Sequence, residues 1–365
     1  MKLDKKANAY IEGAEASAPL CSVRTLGEHE WPAWDAFVSQ SPTGTLFHTT
    51  KWLRTTATPS RIYGCYCEDN LLGGMVVEII RERVASHSYF ATLPDQPDIY
   101  AGYWFNCPYL GVVLPPPSNK YLTTLTQHRD ILNSLAGHVR DQFDIINSRM
   151  GPNVMDIRPF VEAGYVIHPG YTYRIDLSDL TVAWNSMSEE RRNDIRKAER
   201  DGFVIDDRGL VHDVLSLLKG TFQRQSEAVR FNELAVCRDQ MLRANNQGRA
   251  FVARDRSGQA VAGIYMVWDE KCAYYLWGGY GTTAAHRGAG ALAIWEAIRY
   301  AGNTLRLQQF NLLASSLFPI EQFMRDFGGY LTLAFIVRYE RPSFSKDLRK
   351  IMWRLKKIIR VKRIY

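Results

Sequence analysis

The stretch "GGYGTTAAHRGAGALAIWEAIRY", residues 278–300, runs from an aromatic strand through glycines into an amphipathic helix. Strand, glycine turn and helix N-terminus together form a backbone geometry that holds phosphates, because converging N–H groups and the helix dipole favour an anion. Glycine is also the default residue where a strand reverses into a helix. The turn by itself therefore leaves two readings open, a phosphate cradle and a plain connection.

Around it the pieces fall into an order. A strand is expected over Ala273–Tyr280, a helix over about Ala289–Ala301, a strand over Gln308–Leu313, and a helix from about Pro319 to Gly328–Gly329. In that last helix Ile320, Phe323, Met324 and Phe327 form one apolar stripe at helical spacing. Upstream, "GRAFVARDRSGQAVAGIYMVW" (248–268) reads as a hairpin turning at Asp255–Gly258, and "RIYGCYCEDNLLGGMVVEII" (61–80) has the same shape. "FDII" (143–146), "RPFVEAGY" and "YTYRIDL" are answered by "FNLL" (310–313), "IEQFMRDFGGY" and "LAFIVRY". The matching pieces imply an internal duplication at an offset of about 165 residues. At the junction, Ser186 and Glu189 have capping-box spacing, and the helix that follows should stop at Gly202. The fold class is mixed α/β, with one strand–helix–strand unit built twice over 20–180 and 181–342.

The bulk properties agree. A chain of 365 residues suits two domains of roughly 150–170 residues. No apolar run reaches the roughly 18–20 residues that span a bilayer, and the N-terminal stretch lacks an apolar signal core, so a cytoplasmic protein is expected. Six scattered cysteines and eight histidines show no metal-ligand spacing, and no metal is expected. Cys65 and Cys67, two apart in a strand, should share a face. The net charge of +7 is local: residues 346–365 hold nine Lys/Arg against one Asp. A basic tail on an otherwise near-neutral chain argues against a nucleic-acid-binding protein. Leu348, Met352, Leu355 and Ile359 give this tail (343–365) an apolar helical stripe, so it suits an anionic membrane surface or tRNA.

Three stretches carry a family resemblance. "RRNDIRKAERDGFVI" (191–205), "YYLWGGYGTTAAHRGAGALAIWEAIRYA" (274–301) and "FNLLASSLFPIEQFMRDFGG" (310–329) resemble, in that order, motifs of the FemAB-like acyltransferases, which are tandem GNAT-fold proteins. The resemblance implies two tandem GNAT-like domains over roughly residues 20–340. It also implies transfer of an acyl or aminoacyl group from a CoA thioester, carrier thioester or aminoacyl-tRNA to an amine. Acyl-CoA or aminoacyl-tRNA would be a co-substrate, with no tightly bound cofactor. The acceptor would be a nucleotide- or lipid-linked amine of a cell-envelope precursor, such as an amino sugar of a surface polysaccharide. Peptidoglycan-bridge aminoacyl transfer and a non-catalytic GNAT-pair binding protein are the alternatives. Two positions depart from the pattern: Ala285 stands where the acyl-CoA signature has Gln or Arg, and Asn311 where the family has an acid.

On that footing His286, Arg287, Gly288, Ala289 and Gly290 are the candidate donor contacts. Arg192 and Arg196 share a helix face with Arg200 and are candidates for acceptor phosphates, against the alternative of a solvated charged face. Tyr275, Trp277 and Tyr280 should alternate onto one side of their strand, lining an acceptor channel or packing as core. Asn311, Glu321 and Tyr280 are the catalytic candidates, with Glu321 taking a proton from the attacking ammonium through a water. From the first half, His48, Lys51, Trp52 and Tyr109 are candidates to face the acceptor cleft.

Overall fold

The structure, a computed structural model, describes residues 21–56, 59–79, 91–92, 107–224, 233–281, 287–313 and 318–342. The first half contains β1 (Ser22–Thr25), β2 (Ser60–Cys67), β3 (Asn70–Glu78), β4 (Ala91–Thr92), β5 (Gly111–Val113), β6 (Ile145–Arg149), β7 (Val166–His168) and β8 (Tyr171–Asp176). Its helices are α1 (Trp31–Gln40), α2 (Thr50–Leu53), α3 (Tyr121–Gln142) and α4 (Arg158–Glu162). The second half opens with α5 (Leu180–Ser186) and α6 (Glu189–Asp201), then β9 (Val204–Gly209), α7 (Val211–Arg224) and α8 (Glu233–Ala244). It continues through β10 (Gly248–Arg254), β11 (Ala260–Trp268), β12 (Ala273–Tyr280) and α9 (Arg287–Arg299). It ends with β13 (Gln309–Asn311), α10 (Phe318–Arg325), β14 (Tyr330–Leu333) and β15 (Ile336–Glu340).

Apart from β4 in the first half and α5 and α6 at the start of the second, the described elements follow the same order in both halves, but the halves exchange their last strands. The large sheet runs β14-β8-β13-β12-β11-β10-β9, so β8 of the first half lies between two strands of the second. Reciprocally, β15 lies between β6 and β7, antiparallel to both. The sheets therefore do not divide at residue 180. Tyr171 and Ile336, which open the exchanged strands, are 165 positions apart, whereas Ser60 and Gly248, which open the hairpins, are 188 apart. The single offset expected from sequence fails for the hairpins because a long segment separates β3 from β5, while a short turn joins β11 to β12.

Local chemistry explains the boundaries. Ser188, not Ser186, caps α6, its side chain accepting the Arg191 N–H; Ser186 instead donates to the Val182 carbonyl inside α5. Gly202 closes α6 at φ +87, a left-handed position that glycine adopts without strain. Cys65 is buried, whereas Cys67, the last residue of β2, is exposed; the register shift between them and β3 leaves Leu72 of β3 as the extra residue.

Three main apolar clusters hold the layers. One joins α3 to the first-half sheets through Met75, Ile131, Leu135 and Val139. A second joins α6, α9 and α10 to the large sheet through Ile195, Leu292, Phe310 and Met324. The third is shared by both halves, with Trp34, Phe47, Trp52 and Tyr109 meeting Tyr265, Tyr274 and Trp277. Lys271, in the turn between β11 and β12, reinforces this joint. Its ammonium donates to the carbonyls of Ser41 (2.8 Å) and Val38 (3.1 Å) around the C-terminal end of α1, where the helix dipole favours a cation.

Candidate functional site

β12 pairs with β11 along its whole length but with β13 only at Ala273–Phe310 and Tyr274–Asn311. Beyond Tyr274, among the described residues, that edge of β12 has no strand beside it. The two strands thus part after Tyr274 in a wedge, and α9 follows β12 in the chain. Within β12 the register to β11 slips: Tyr265 faces Trp277 and Met266 faces Tyr275, leaving Leu276 as a bulge.

The bulge corrects the expected alternation. Trp277 joins Tyr274 in the core shared by the halves, while Tyr275 packs on the opposite side with the α9 and α10 cluster. A Cβ on Gly278 would strike the Tyr275 hydroxyl, and one on Gly279 would run into the backbone of Leu217 and Leu218 in α7. These two glycines have packing reasons that need no ligand. In α9, Gly288 and Ala289 are buried. A Cβ on Gly290 would meet only the Ala262 Cβ at 3.9 Å, so this position faces the sheet. His286 and the side chain of Arg287 lie outside the described residues.

Asn311 sits at the root of the wedge, 1 % exposed. Its Oδ1 accepts the Thr172 hydroxyl (2.6 Å) and the Leu313 N–H (2.9 Å), and its Nδ2 donates to the Tyr109 hydroxyl (3.2 Å). Glu321 is elsewhere: its Oε1 accepts the Tyr173 hydroxyl at 2.5 Å and lies 3.7 Å from Arg325. Burial, followed by that bond to Glu321, pushes the Tyr173 phenol up to about 12. Thr172 and Tyr173 are consecutive in β8, so Asn311 and Glu321 lie on opposite faces of the sheet. Tyr280, the third catalytic candidate, is 53 % exposed at the far end of β12. There it borders a shallow cleft of about 380 Å³ with Asp213, Ser216 and Gln259. The three catalytic candidates are not brought together.

The first-half candidates move from cleft to core. His48, Trp52 and Tyr109 are all fully buried. His48 Nδ1 faces the Thr45 N–H and hydroxyl, and burial pushes the imidazole down to about 3. Trp52 lies under the guanidinium of Arg238 (4.5 Å), which also faces Trp277 at 6.0 Å and donates to Thr55 of the first half. Lys51 reaches across to Asn245 Oδ1 at 2.7 Å.

In α6, Arg192 donates to the carbonyls of Asn185 and Met187, closing the end of α5. Arg196 is exposed and stacks over Trp184 at 5.4 Å. The sequence reading missed Arg191, which is fully buried. Its guanidinium lies 4.1 Å over the Phe323 ring, with Asp194 and Asp326 as ion partners. Its signal was present, since Arg191, Ile195 and Ala198 occupy one helical face.

Residues 186–317 match the family model described as an acetyltransferase (GNAT) domain. No curated protein sequence matches the chain. Among solved structures, FemX is similar at a TM-score of 0.59 and 13% identity, over 87% of this chain and 96% of that one. A tandem GNAT protein from the clavulanic acid biosynthesis pathway is similar at 0.50 and 10%, over 88% and 99%. L-PGS from Bacillus licheniformis is similar at 0.50 and 11%, over 90% and 96%. At these identities the likeness is one of fold.

Proposed function

We propose that this chain, whose residues 186–317 match the model of an acetyltransferase (GNAT) domain and whose fold is similar to that of a tandem GNAT protein, is an acyltransferase whose acceptor is an amine of a cell-envelope precursor. The acceptor we favour is an amino sugar of a surface polysaccharide in nucleotide- or lipid-linked form. The observation that carries the reading is the wedge between β12 and β13. GNAT domains in general take acyl-CoA, and an extended thioester fits along a strand edge by hydrogen bonding to its N–H and C=O groups. At the bulge the strand can turn a backbone N–H toward the carbonyl oxygen as it gains charge.

The chemistry needs orientation more than a reactive group. The neutral amine attacks the acyl carbonyl, the C–N bond forms, and the C–S bond of the thioester breaks as the tetrahedral intermediate collapses. The ammonium proton leaves through water, with Glu321 as its acceptor, and the departing thiolate takes up a proton from solvent. Gly288 and the start of α9 serve the donor's phosphates. Arg192 and Arg196 serve those of the acceptor.

A second donor, aminoacyl-tRNA, is favoured by one specific feature: Ala285 occupies the place of the acyl-CoA signature's Gln or Arg. The test is donor-dependent turnover. Full-length protein is incubated with acetyl-CoA or charged tRNA and a panel of nucleotide-linked amino sugars. Free thiol or deacylated tRNA is then measured together with the acylated sugar. Release that depends on an amino sugar supports the proposal, and binding of both substrates without turnover would identify a non-catalytic GNAT pair.

A further inference from the structure

The first half has a fork of the same kind, and that fork is filled. By element order β5 stands where β12 stands in the second half, and β6 stands where β13 does. The Leu110 N–H donates to the Arg149 carbonyl at 3.0 Å, and past that bond β5 and β6 form no ladder among the described residues. Backbone groups along a strand point alternately to its two sides, so Leu114, just past the end of β5, turns its N–H and C=O toward the fork as Leu110 does. Both groups are taken by the chain itself. The Thr43 hydroxyl accepts the Leu114 N–H at 2.7 Å, and the Ser41 hydroxyl donates to the Leu114 carbonyl. Across the fork, after β6, the Asn153 amide donates to the Pro42 carbonyl at 2.7 Å, and a Cβ on Gly151 would stand 3.4 Å from the Thr43 carbonyl oxygen. Residues 41–44 thus bridge the two diverging strands.

The bridge is held from within and from the second half. Ser41 Oγ accepts the N–H groups of Thr43 and Gly44, each at 3.1 Å, which folds the segment on itself. A Cβ on Gly44 would strike the Val38 carbonyl, so only glycine lets the chain return this close to the end of α1. The Lys271 ammonium, from the second half, donates to the Ser41 carbonyl at 2.8 Å. Ser41 and Thr43 are buried, so water does not compete for these bonds.

We infer that the first half takes no acyl donor at its own fork: Ser41 and Thr43 occupy the strand edge at Leu114 that the amide-bearing arm of an acyl-CoA would need. The duplicated halves are therefore unequal, and a chain holds a single donor, in the second half. This rests on the strand edge of a fork being the donor site, as proposed above, but closure of the first fork can be judged separately.

The test combines acetyl-CoA titration by calorimetry with hydrogen exchange at Leu114, both on the full chain. Wild-type protein should bind acetyl-CoA at a single site per chain, and the Leu114 amide should exchange slowly without any ligand. A second acetyl-CoA per chain would overturn the inference, and so would fast Leu114 exchange in the free protein. Thr43→Val keeps the shape of the side chain but removes the acceptor. It should speed Leu114 exchange by about tenfold or more, the factor that loss of one hydrogen bond corresponds to. Unchanged exchange in that variant would show that this segment does not hold the edge. The two wild-type measurements decide the matter even where the variant does not fold. Should wild-type protein bind no acetyl-CoA, the donor reading fails, while Leu114 exchange still tells whether the first fork is closed.

Discussion

Asp269 Oδ2 accepts the backbone N–H of Leu46 at 2.8 Å and the Tyr274 hydroxyl at 2.9 Å, so one carboxylate of the second half grips the first half by its main chain. Its other oxygen accepts the N–H groups of Lys271 and Cys272 within the same turn. Asp269→Ala strands several donors at once and should cost about 2–3 kcal/mol, the range for hydrogen bonds to a charged group. Urea denaturation should show a lower midpoint than wild type, with Asp269→Asn in between. Equal midpoints would mean that water replaces the carboxylate without loss.

Neighbouring arginines in α6 should behave in opposite ways. Arg191→Met leaves Asp194 and Asp326 without their shared buried cation and should destabilise by about 3 kcal/mol or more. Arg196→Ala removes an exposed side chain and should change stability by no more than about 0.5 kcal/mol. If Arg196 contacts acceptor phosphate, the same variant raises the acceptor KM with kcat unchanged. Unchanged KM assigns Arg196 to the surface alone.

His48 sets a pH dependence. Its folded imidazole titrates near 3, whereas an unfolded histidine titrates near 6.5. Below pH 6.5 the unfolded chain takes up a proton that the folded chain refuses, so stability falls progressively from about pH 6.5 toward pH 3. Between pH 6.5 and pH 5 the loss should be about 2 kcal/mol, at about 1.4 kcal/mol per pH unit. Denaturation curves at the two pH values would measure it, and His48→Gln should remove that part of the slope.

Gly279 lets β12 lie against α7. Gly279→Ala drives a methyl group into the backbone of Leu217 and Leu218, and overpacking of this kind costs typically about 1–3 kcal/mol. Gly290→Ala, which meets only Ala262 at van der Waals distance, should instead raise stability by up to about 1 kcal/mol, the helix propensity difference. Thermal unfolding of the two variants should shift in opposite directions.

The tail yields a membrane test. Residues 346–365 hold nine Lys/Arg, and an anionic leaflet attracts each nearby cation by about 1 kcal/mol. Among the described residues no helix is long and apolar enough to cross a membrane. Full-length protein should sediment with anionic liposomes in a salt-sensitive way, and a chain ending at Pro342 should not. Equal sedimentation of the two would remove the membrane proposal.

Local features were legible in the sequence and non-local ones were not. Both hairpins, the aromatic strand 273–280 and the stop at Gly202 follow from turn residues and periodicity, which act over a few positions. The exchange of β8 and β15 was invisible because "YTYRID" and "IVRYE" are ordinary strands whose own sequence does not name their neighbours. The bulge at Leu276 escaped because almost every residue around it is large and apolar, so no alternation marked the slip. Trp52 and Tyr109, expected to face an acceptor cleft, are buried between the two halves, and burial of that kind cannot be read from either half alone.

The exchanged strands also set the order in which the molecule can become complete. When β7 and β8 have been synthesised, the gap between β6 and β7 still awaits β15, which begins 168 residues after the end of β7. At roughly 5–20 residues per second that wait lasts about 10–30 seconds, with unpaired strand edges open to other chains. β8 meanwhile has no sheet to enter until β13 and β14 exist. Neither half can close before the other is nearly finished, so folding is governed by contacts of very long sequence separation and should be slow. A nascent chain arrested before Ile336 would be a strong client for chaperones, however stable the finished protein.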